Sequence, residues 1–343
     1  SFRIRAKKIG FAHGNMVRVL GEDQEVAGQN VTLSVDAELS RVVAQSFPVG
    51  EKGAVVVAKP STGEILALYS SPSFDPGTID ESLLINADAP LFDRAIGGVY
   101  PPGSTFKIVT AIGALEDGAI DKDTIIEDNG TITIGPFSFS NWYFTQYGKT
   151  EGPVDIVKAI QRSNDIFFYR TGERLGITKI ADWARRVGIG KPLGIELAGE
   201  AGGLMPDPHW KNSYFTSPED LVTRNNQWYL GDTYHIAIGQ GYLLTTPLQV
   251  NSWTNVIASG GKLCRPTIKK AVSGLPRGSG QERSAVSCKD LGIKKETIQL
   301  ITEGMKKACE PGGTGWPLFD FRVPVACKTG TAEFGDTNNK KHA

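Results

Sequence analysis

A serine and a lysine stand three positions apart at the start of a predicted helix. The stretch YPPGSTFKIVTAIGALEDG places Ser104 after two prolines and a glycine, and Lys107 inside an otherwise apolar run. The prolines exclude a helix interior before the serine, and the apolar residues after it recur at helical spacing up to Gly118. Residues three positions apart share a helix face, so the two side chains are predicted to lie together.

This pair could carry out nucleophilic catalysis. A serine hydroxyl needs a neighbouring base to take its proton, and a lysine is a base only when it is neutral. Apolar burial and the positive end of a helix both lower a lysine pKa. The alternative is a helix-capping serine beside a lysine whose charged end reaches solvent. Because S-x-x-K arises often by chance, the rest of the chain must decide.

Two further short motifs follow in order along the chain. Ser163-Asn164-Asp165 interrupts a helical pattern, and Lys-Thr-Gly-Thr at 328–331 lies in a run, VPVACKTGTAEF, that alternates like a strand. The set S-x-x-K, S-D-N and K-T-G is the signature of penicillin-binding proteins and class A β-lactamases. Taken alone, Ser163 could cap the following helix, and 328–331 could be an ordinary strand end. The ordered set instead indicates one shared active site.

From residue 30 onward the chain resembles the transpeptidase domain of class B penicillin-binding proteins. The resemblance rests on TGEILALYSSPSFDP, YPPGSTFK, IGQGYLLTTPLQ and KTGTAE. The stretches WYLGDTYHIAIGQG and RSNDIFFY resemble the elongation-type subgroup, penicillin-binding protein 2. The resemblance implies a serine D-alanyl-D-alanine transpeptidase that cross-links peptidoglycan stem peptides in cell-wall elongation and cell shape, and that β-lactams block.

The same resemblance implies partners and a location. A SEDS-type glycosyltransferase and the elongation machinery are the implied protein partners. The domain would lie on the outer, periplasmic face of the cytoplasmic membrane, held by an N-terminal anchor outside this chain. The chain starts at Ser1 and carries no signal-peptide pattern, so we interpret it as a fragment.

The resemblance also implies a role for each motif residue. Ser104 would attack the penultimate D-alanine carbonyl and form an acyl-enzyme, with Lys107 as the acylation base. Ser163 would pass a proton to the leaving amine. Asp165 replaces the asparagine that is usual in the family, although the elongation-type subgroup tolerates it. Because an ionised carboxylate only accepts hydrogen bonds, we expect Asp165 to order the cleft and not to act as the base.

The third motif is implied to bind substrate. Lys328 would offer a positive charge, and Thr329 a hydroxyl, to the substrate carboxylate. Gly330 would let the substrate backbone approach and bind as an added strand. The oxyanion hole would use the backbone N–H groups of Ser104 and Thr331.

The remaining sequence predicts an α+β domain. A strand and an amphipathic helix follow residue 30, a hairpin joins 54–58 to 65–69, and a helix capped by Thr246 runs to about residue 259. The resemblance implies the penicillin-binding protein/serine β-lactamase-like fold: an antiparallel sheet flanked by helices, plus an all-helical subdomain, with the strands after K-T-G missing from this chain. Residues 1–29 are predicted to be a linker or the end of a non-catalytic module, and 30–343 the transpeptidase domain.

Composition excludes several other functions. The 343 residues contain 37 Lys+Arg and 37 Asp+Glu, so no basic excess points to a nucleic-acid partner. Neither a metal nor another cofactor is predicted, because the histidines are scattered and no C-x-x-C occurs. Buried free thiols are expected, although the four cysteines also allow three disulfide pairings. They are Cys264, Cys288, Cys309 and Cys327.

Alternatives to transpeptidation remain open. A serine β-lactamase of class A needs an extra glutamate and a positioned water to hydrolyse its acyl-enzyme, and no such glutamate is evident. A non-catalytic β-lactam sensor would keep the same motif residues, whereas a silent assembly partner would have no need of them. A Ser-His-Asp hydrolase is disfavoured because no G-x-S-x-G elbow occurs. Turnover of a D-alanyl-D-alanine peptide would distinguish an enzyme from a sensor.

Overall fold

The structure is a computed structural model that describes residues 31–270 and 286–332 in full, and only the backbone of the strand residues outside these ranges. The strands are β1 Arg3–Ile4, β2 Lys7–Ala12, β3 Asn15–Glu22, β4 Val26–Ala27, β5 Val31–Leu33, β6 Gly53–Ala58, β7 Ile65–Ser71, β8 Ile126–Asp128, β9 Thr131–Ile134, β10 Phe137–Ser140, β11 Gly152–Val154, β12 Lys262–Cys264, β13 Lys269–Val272, β14 Cys288–Asp290, β15 Glu333–Phe334 and β16 Lys341–His342.

The helices are α1 Ala37–Ser46, α2 Glu81–Leu84, α3 Lys107–Glu116, α4 Trp142–Tyr147, α5 Ile156–Gln161, α6 Asp165–Leu175, α7 Ile177–Arg186, α8 Pro208–Tyr214, α9 Pro218–Val222, α10 Leu230–Ala237, α11 Pro247–Ala258 and α12 Lys295–Ala308. Three 3₁₀ turns accompany them, at Pro76–Thr78, Gly103–Phe106 and Trp316–Leu318. No described helix has the length and apolar character needed to cross a membrane.

The strands form short antiparallel pairs, which confirms the predicted α+β class. β6 pairs with β7 as the hairpin expected from the sequence, and β13 pairs with β5. A parallel bridge between Glu64 and Thr267 connects these two pairs. The N-terminal strands form the pairs β1–β4 and β2–β3, which the sequence pattern does not indicate. The division of the chain at residue 30 stays a prediction.

The helical part surrounds α3, the helix that follows Ser104. Every residue from Lys107 to Leu115 is buried, because α3 lies inside the main apolar core with α5, α6, α7, α11 and α12 packed around it. Burial on all sides explains why the α3 sequence is apolar around its whole circumference. α11 begins as predicted: Thr246 caps it, Pro247 occupies its first turn, and Gln249 completes a capping box.

Two local predictions need correction. Ser104 lies in the 3₁₀ turn Gly103–Phe106, and the α-helix begins only at Lys107. The run predicted as a strand is a strand only at β15, which pairs with β16. Residues 328–331 belong to no strand and to no ladder of the described chain.

The expectation of free thiols is wrong, because the cysteines form the disulfides Cys264–Cys288 and Cys309–Cys327. Cys264 and Cys288 face each other on the antiparallel strands β12 and β14, and directly opposed residues are within bonding reach. The N–H of Cys327 donates to the carbonyl of Met305 (2.9 Å), which brings Cys327 to the last turn of α12 and to Cys309.

Candidate active site

Ser104 is presented by a tight turn that only glycines permit. Gly103 has φ +55°, and its N–H donates to the carbonyl of Gly239 at 2.9 Å. A Cβ at Gly103 would lie 2.4 Å from the carbonyl oxygen of Thr331, so a side chain there would push the two segments apart. The Ser104 hydroxyl is half-buried and forms no hydrogen bond with any group in the fully described ranges. It is therefore free to act as a nucleophile.

Lys107 is completely buried and points toward the second motif. Its Nζ lies 2.6 Å from Asp165 Oδ1, 2.7 Å from the Ser163 carbonyl oxygen and 3.4 Å from Ser163 Oγ. No hydrogen bond joins it directly to the Ser104 hydroxyl, so the shared face expected from the spacing of the two residues stays a prediction. Burial lowers the pKa of Lys107 from its usual value, and the neighbouring Asp165 carboxylate partly opposes that effect.

Ser163 occupies a strained junction between α5 and α6. Its φ is +52°, a left-handed conformation that is uncommon for a residue other than glycine. The capping role that was open for Ser163 belongs to Asn164, whose side chain accepts from the Phe167 N–H at 2.8 Å. The Ser163 hydroxyl is left to face the two lysines, and it accepts from Lys328 Nζ at 2.8 Å.

Asp165 holds three neighbouring groups. Besides its ion pair with Lys107, its Oδ2 accepts from the Trp142 N–H at 3.0 Å, and its own N–H donates to Asn141 Oδ1 at 3.1 Å. Its side chain is largely buried. These contacts agree with an ordering role, in which the carboxylate accepts from two donors on different elements.

Lys328 completes the polar cluster from the opposite side. Besides the Ser163 hydroxyl, its Nζ donates to the Thr329 carbonyl at 2.9 Å. The pKa of Lys328 is well below its ordinary value, mainly because its Nζ has lost hydration and secondly because Lys107 is nearby. Part of the Lys328 side chain nevertheless remains exposed. Lys107, Ser163, Asp165 and Lys328 are thus brought to one polar cleft from three distant parts of the sequence, next to the turn that carries Ser104.

The other residues of the third motif pack against protein neighbours. The Thr329 hydroxyl donates to the Thr314 hydroxyl at 2.9 Å. A Cβ at Gly330 would lie 2.8 Å from Thr105 Cγ2, so the close approach at this glycine is to the Ser104 turn. Thr331 is exposed, and its carbonyl accepts from Gln240 Nε2 at 3.3 Å. The segment is thereby fixed beside the nucleophile without a ladder partner.

Several contributors to this cleft were missed from the sequence. Asn141, Trp142 and Gln240 contact motif residues directly, and Asp128 contacts both Asn141 and Asn164. They come from short hairpins and loops, where no periodicity marks a residue as close to a distant motif. The only signal was the family-like stretch IGQG, which contains Gln240.

A cavity of about 470 Å³ lies beside the Ser104 turn, with Thr105 in its lining. It is bounded by β6, α11 and Gly330, and its walls include neither Lys107 nor Ser163. Within the described ranges, no group of three or more His, Cys, Asp or Glu side chains could hold a metal ion. The groups that the cleft offers for chemistry are the Ser104 hydroxyl, the Ser163 hydroxyl between two amines of lowered pKa, and the Asp165 carboxylate.

Residues 53–343 match the family model "Penicillin binding protein transpeptidase domain". The chain belongs to this family, as its motifs predicted. Peptidoglycan D,D-transpeptidase MrdA of Acinetobacter baumannii is 35% identical over 332 residues, which are 94% of this chain and 47% of that protein. The chain spans about half the length of the curated relatives it matches.

Solved structures agree with the elongation-type assignment. Helicobacter pylori PBP2, in complex with MreC, is 28% identical with a TM-score of 0.77, over 96% of this chain and 59% of that one. A chain from a peptidoglycan synthase complex, studied for the coordination of polymerization and crosslinking, is 30% identical with a TM-score of 0.76, over 97% of this chain and 58% of that one. The similarity is thus to the PBP2/MrdA type of transpeptidase domain.

Proposed function

We propose that this domain is a serine D,D-transpeptidase that cross-links peptidoglycan stem peptides and is the target of β-lactams. The observation that carries the proposal is the convergence of the Ser104 turn, Lys107, Ser163 and Lys328 on one cleft of a penicillin-binding protein fold. Two amines of lowered pKa beside an unpaired serine hydroxyl suit acyl transfer better than any other chemistry available to these side chains.

Acylation begins at Ser104. Neutral Lys107 serves as the base, and the Ser104 oxygen attacks the penultimate D-alanine carbonyl to give a tetrahedral intermediate. The N–H groups of Ser104 and Thr331 stabilise the oxyanion. Lys107 passes the proton through Ser163, which lies within reach of its Nζ, to the leaving nitrogen. The C–N bond then breaks, terminal D-alanine leaves as an amine, and Ser104 keeps the acyl group as an ester.

Cross-linking reverses this order of proton transfers. The amine of a second stem peptide attacks the ester carbonyl and gives up a proton to the cleft bases. The C–O bond to Ser104 breaks, the serine regains a proton, and a new amide joins the two peptides. A β-lactam enters the first half of the cycle, but its leaving nitrogen stays tethered to the acyl group.

Lys328 serves the substrate carboxylate. Burial, and then Lys107, lower the pKa of this amine, and an incoming carboxylate favours its charged form because opposite charges attract. Thr329 and Gly330 line the same approach, although their packing against Thr314 and Thr105 gives them a supporting role in this state.

The proposal extends to cellular context. The similarity to H. pylori PBP2 bound to MreC supports a place in the elongation machinery, and the family resemblance adds a SEDS-type glycosyltransferase partner. We propose that the domain lies on the outer face of the cytoplasmic membrane behind an N-terminal anchor. Residues 30–343 would form the catalytic domain, and residues 1–29 would adjoin a non-catalytic module.

Mass spectrometry after incubation with benzylpenicillin tests the proposal. One adduct per chain is expected, mapped to Ser104, absent in Ser104→Ala and strongly slowed in Lys107→Ala. Ser213→Ala is the matched control, because this exposed serine donates only to the His209 carbonyl. Turnover of a D-alanyl-D-alanine peptide must accompany labelling. An adduct on another serine, rapid hydrolysis of many drug equivalents, or labelling without peptide turnover would each contradict the proposal.

A further inference from the structure

Asp128, at the end of β8, is a buried carboxylate with four N–H donors. Only 1% of its surface is exposed. Its Oδ2 accepts from the side-chain amides of Asn141 and Asn164, each at 2.7 Å, and from the Glu151 N–H at 3.3 Å. Its Oδ1 accepts from the Gly130 N–H at 2.7 Å. Burying a carboxylate is unfavourable unless such donors compensate it, so this set is closely matched to an ionised aspartate.

The two contacts to Oδ2 set the orientation of two amides. An asparagine side chain has a donor end and an acceptor end, and Asp128 accepts from the donor end of both Asn141 and Asn164. The acceptor ends must then point away from it. Asn164 Oδ1 accepts from the Phe167 N–H at the start of α6, and Asn141 Oδ1 accepts from the Asp165 N–H. One carboxylate therefore determines what both amides can bind.

These oriented amides hold the group that faces Lys107. Asn164 caps α6 and Asn141 fixes the first residue of that helix, Asp165, whose carboxylate lies 2.6 Å from Lys107 Nζ. The charged or titratable groups that face Lys107 are Asp165 from α6 and Lys328 from the third motif. Asn164 also directly follows Ser163, whose left-handed backbone must be held by its surroundings.

We propose that Asp128 is a positioning residue that sets the place of Asp165 against Lys107, and thereby the protonation of the acylation base, without touching substrate. Its catalytic consequence rests on the proposed function, whereas its effect on Lys107 does not. The competing interpretation is a purely local role in the Asp128–Gly130 turn. That role uses Oδ1 alone and explains neither contact of Oδ2 with a side-chain amide.

The test compares Asp128→Asn with Asp207→Asn, a carboxylate that caps α8 and pairs with Arg185 away from this cluster. In Asp128→Asn an amide donor must face other donors, so Asp165 is released from its place. We expect the pKa of Lys107 to fall, because the opposing charge is less well aligned. Titration of ¹³C-labelled lysine by NMR, with Lys107→Arg for assignment, measures this without any catalysis.

Penicillin acylation provides the second measurement. Asp128→Asn should slow it between about 10- and 100-fold, because Lys107 and Ser163 lose their mutual alignment when Asp165 and the start of α6 move, and it should shift the acid limb to lower pH. Asp207→Asn should do neither. The double variant Asp128→Asn/Asn141→Asp restores a carboxylate–amide pair with the donor and acceptor exchanged. This double variant should recover much of the wild-type acylation rate and of the wild-type pKa of Lys107.

Several results would overturn the inference. They are an unchanged Lys107 titration in folded Asp128→Asn, an equal effect in Asp207→Asn, or a loss of activity that only follows the loss of folded protein. If Asp128→Asn does not fold, the same two measurements are made on Asn141→Ala. That variant removes only one of the four donors to Asp128, together with the acceptor of the Asp165 N–H. Failure of wild-type labelling would refute the proposed function. The NMR titration would still test the role of Asp128, because it measures Lys107 without any catalysis.

Discussion

The Lys107 ammonium nitrogen and the Asp165 carboxylate lie 2.6 Å apart in a region that water hardly reaches. Two opposite effects meet at this pair. Burial disfavours the charged lysine and the carboxylate favours it, and burial is the larger effect. Burial thus shifts the lysine toward the neutral state that a base requires, while the carboxylate keeps it directed toward Ser163.

Replacing Asp165 by asparagine should keep measurable acylation and change its pH dependence. The amide oxygen can still accept from Trp142, but the charge that raises the pKa of Lys107 is gone. The pKa of Lys107 therefore falls, more of the lysine is neutral at a given pH, and the acid limb of the acylation rate moves to lower pH. Acylation rates with a fluorescent penicillin across pH measure this. A limb displaced to higher pH, or a loss as complete as in Ser104→Ala, would contradict it.

Lys328→Met should slow acylation and abolish recognition of a carboxylate. The variant removes the donor to the Ser163 hydroxyl and the partner of the substrate carboxylate, so a loss of roughly 100-fold is expected. The sharper measurement compares a D-alanyl-D-alanine peptide with its methyl ester. Wild-type protein should prefer the free acid, and Lys328→Met should treat the two alike. If Lys328→Met still prefers the free acid over the methyl ester, another group binds the substrate carboxylate.

Gly330→Ala should displace the third motif from the Ser104 turn. The added Cβ would lie 2.8 Å from Thr105 Cγ2, and overpacking of this kind costs about 1–3 kcal/mol. Slower acylation and a lower melting temperature are expected. Thr105→Ser removes the clashing methyl group, so the double variant should regain most of the acylation rate and of the melting temperature. Thr105→Ser alone is the control. Wild-type acylation by Gly330→Ala would show that the two segments separate freely.

The two disulfides should differ in their effect on the active site. Removing either pair by substitution with alanine should lower the free energy of unfolding by about 3 kcal/mol. Loss of Cys309–Cys327 should also slow acylation, because Cys327 immediately precedes Lys328. Loss of Cys264–Cys288, which joins β12 to β14, should leave the acylation rate of folded protein near that of the wild type. Equal acylation by the two folded variants would refute this distinction.

Local signals in the sequence were sufficient where neighbours in the chain determine structure. The capping box at Thr246, the hairpin of β6 and β7, and the interruption at Ser163 could all be predicted, since turn and cap chemistry acts within a few residues. The ordered motifs likewise predicted the residues that meet in the cleft.

Contacts between distant segments could not be predicted in the same way. The cysteine pairing depends on which strands become neighbours, and alternation alone could not show that residues 328–331 lack a ladder partner. The role of Asp128 was hidden because a D-N-G sequence is typical of an ordinary turn. Only the folded chain places that carboxylate between Asn141 and Asn164.

Because Cys327 lies next to Lys328 in the chain, the cleft depends on a disulfide that forms after the chain has been synthesised. Disulfides form and persist in oxidising compartments and are rare in a reducing cytoplasm. A reduced chain would therefore carry Lys328 on a segment not yet tied to α12, and the disulfide would fix that segment only under oxidising conditions. Preparations made in a reducing cytoplasm would need oxidation before their penicillin acylation rates are compared.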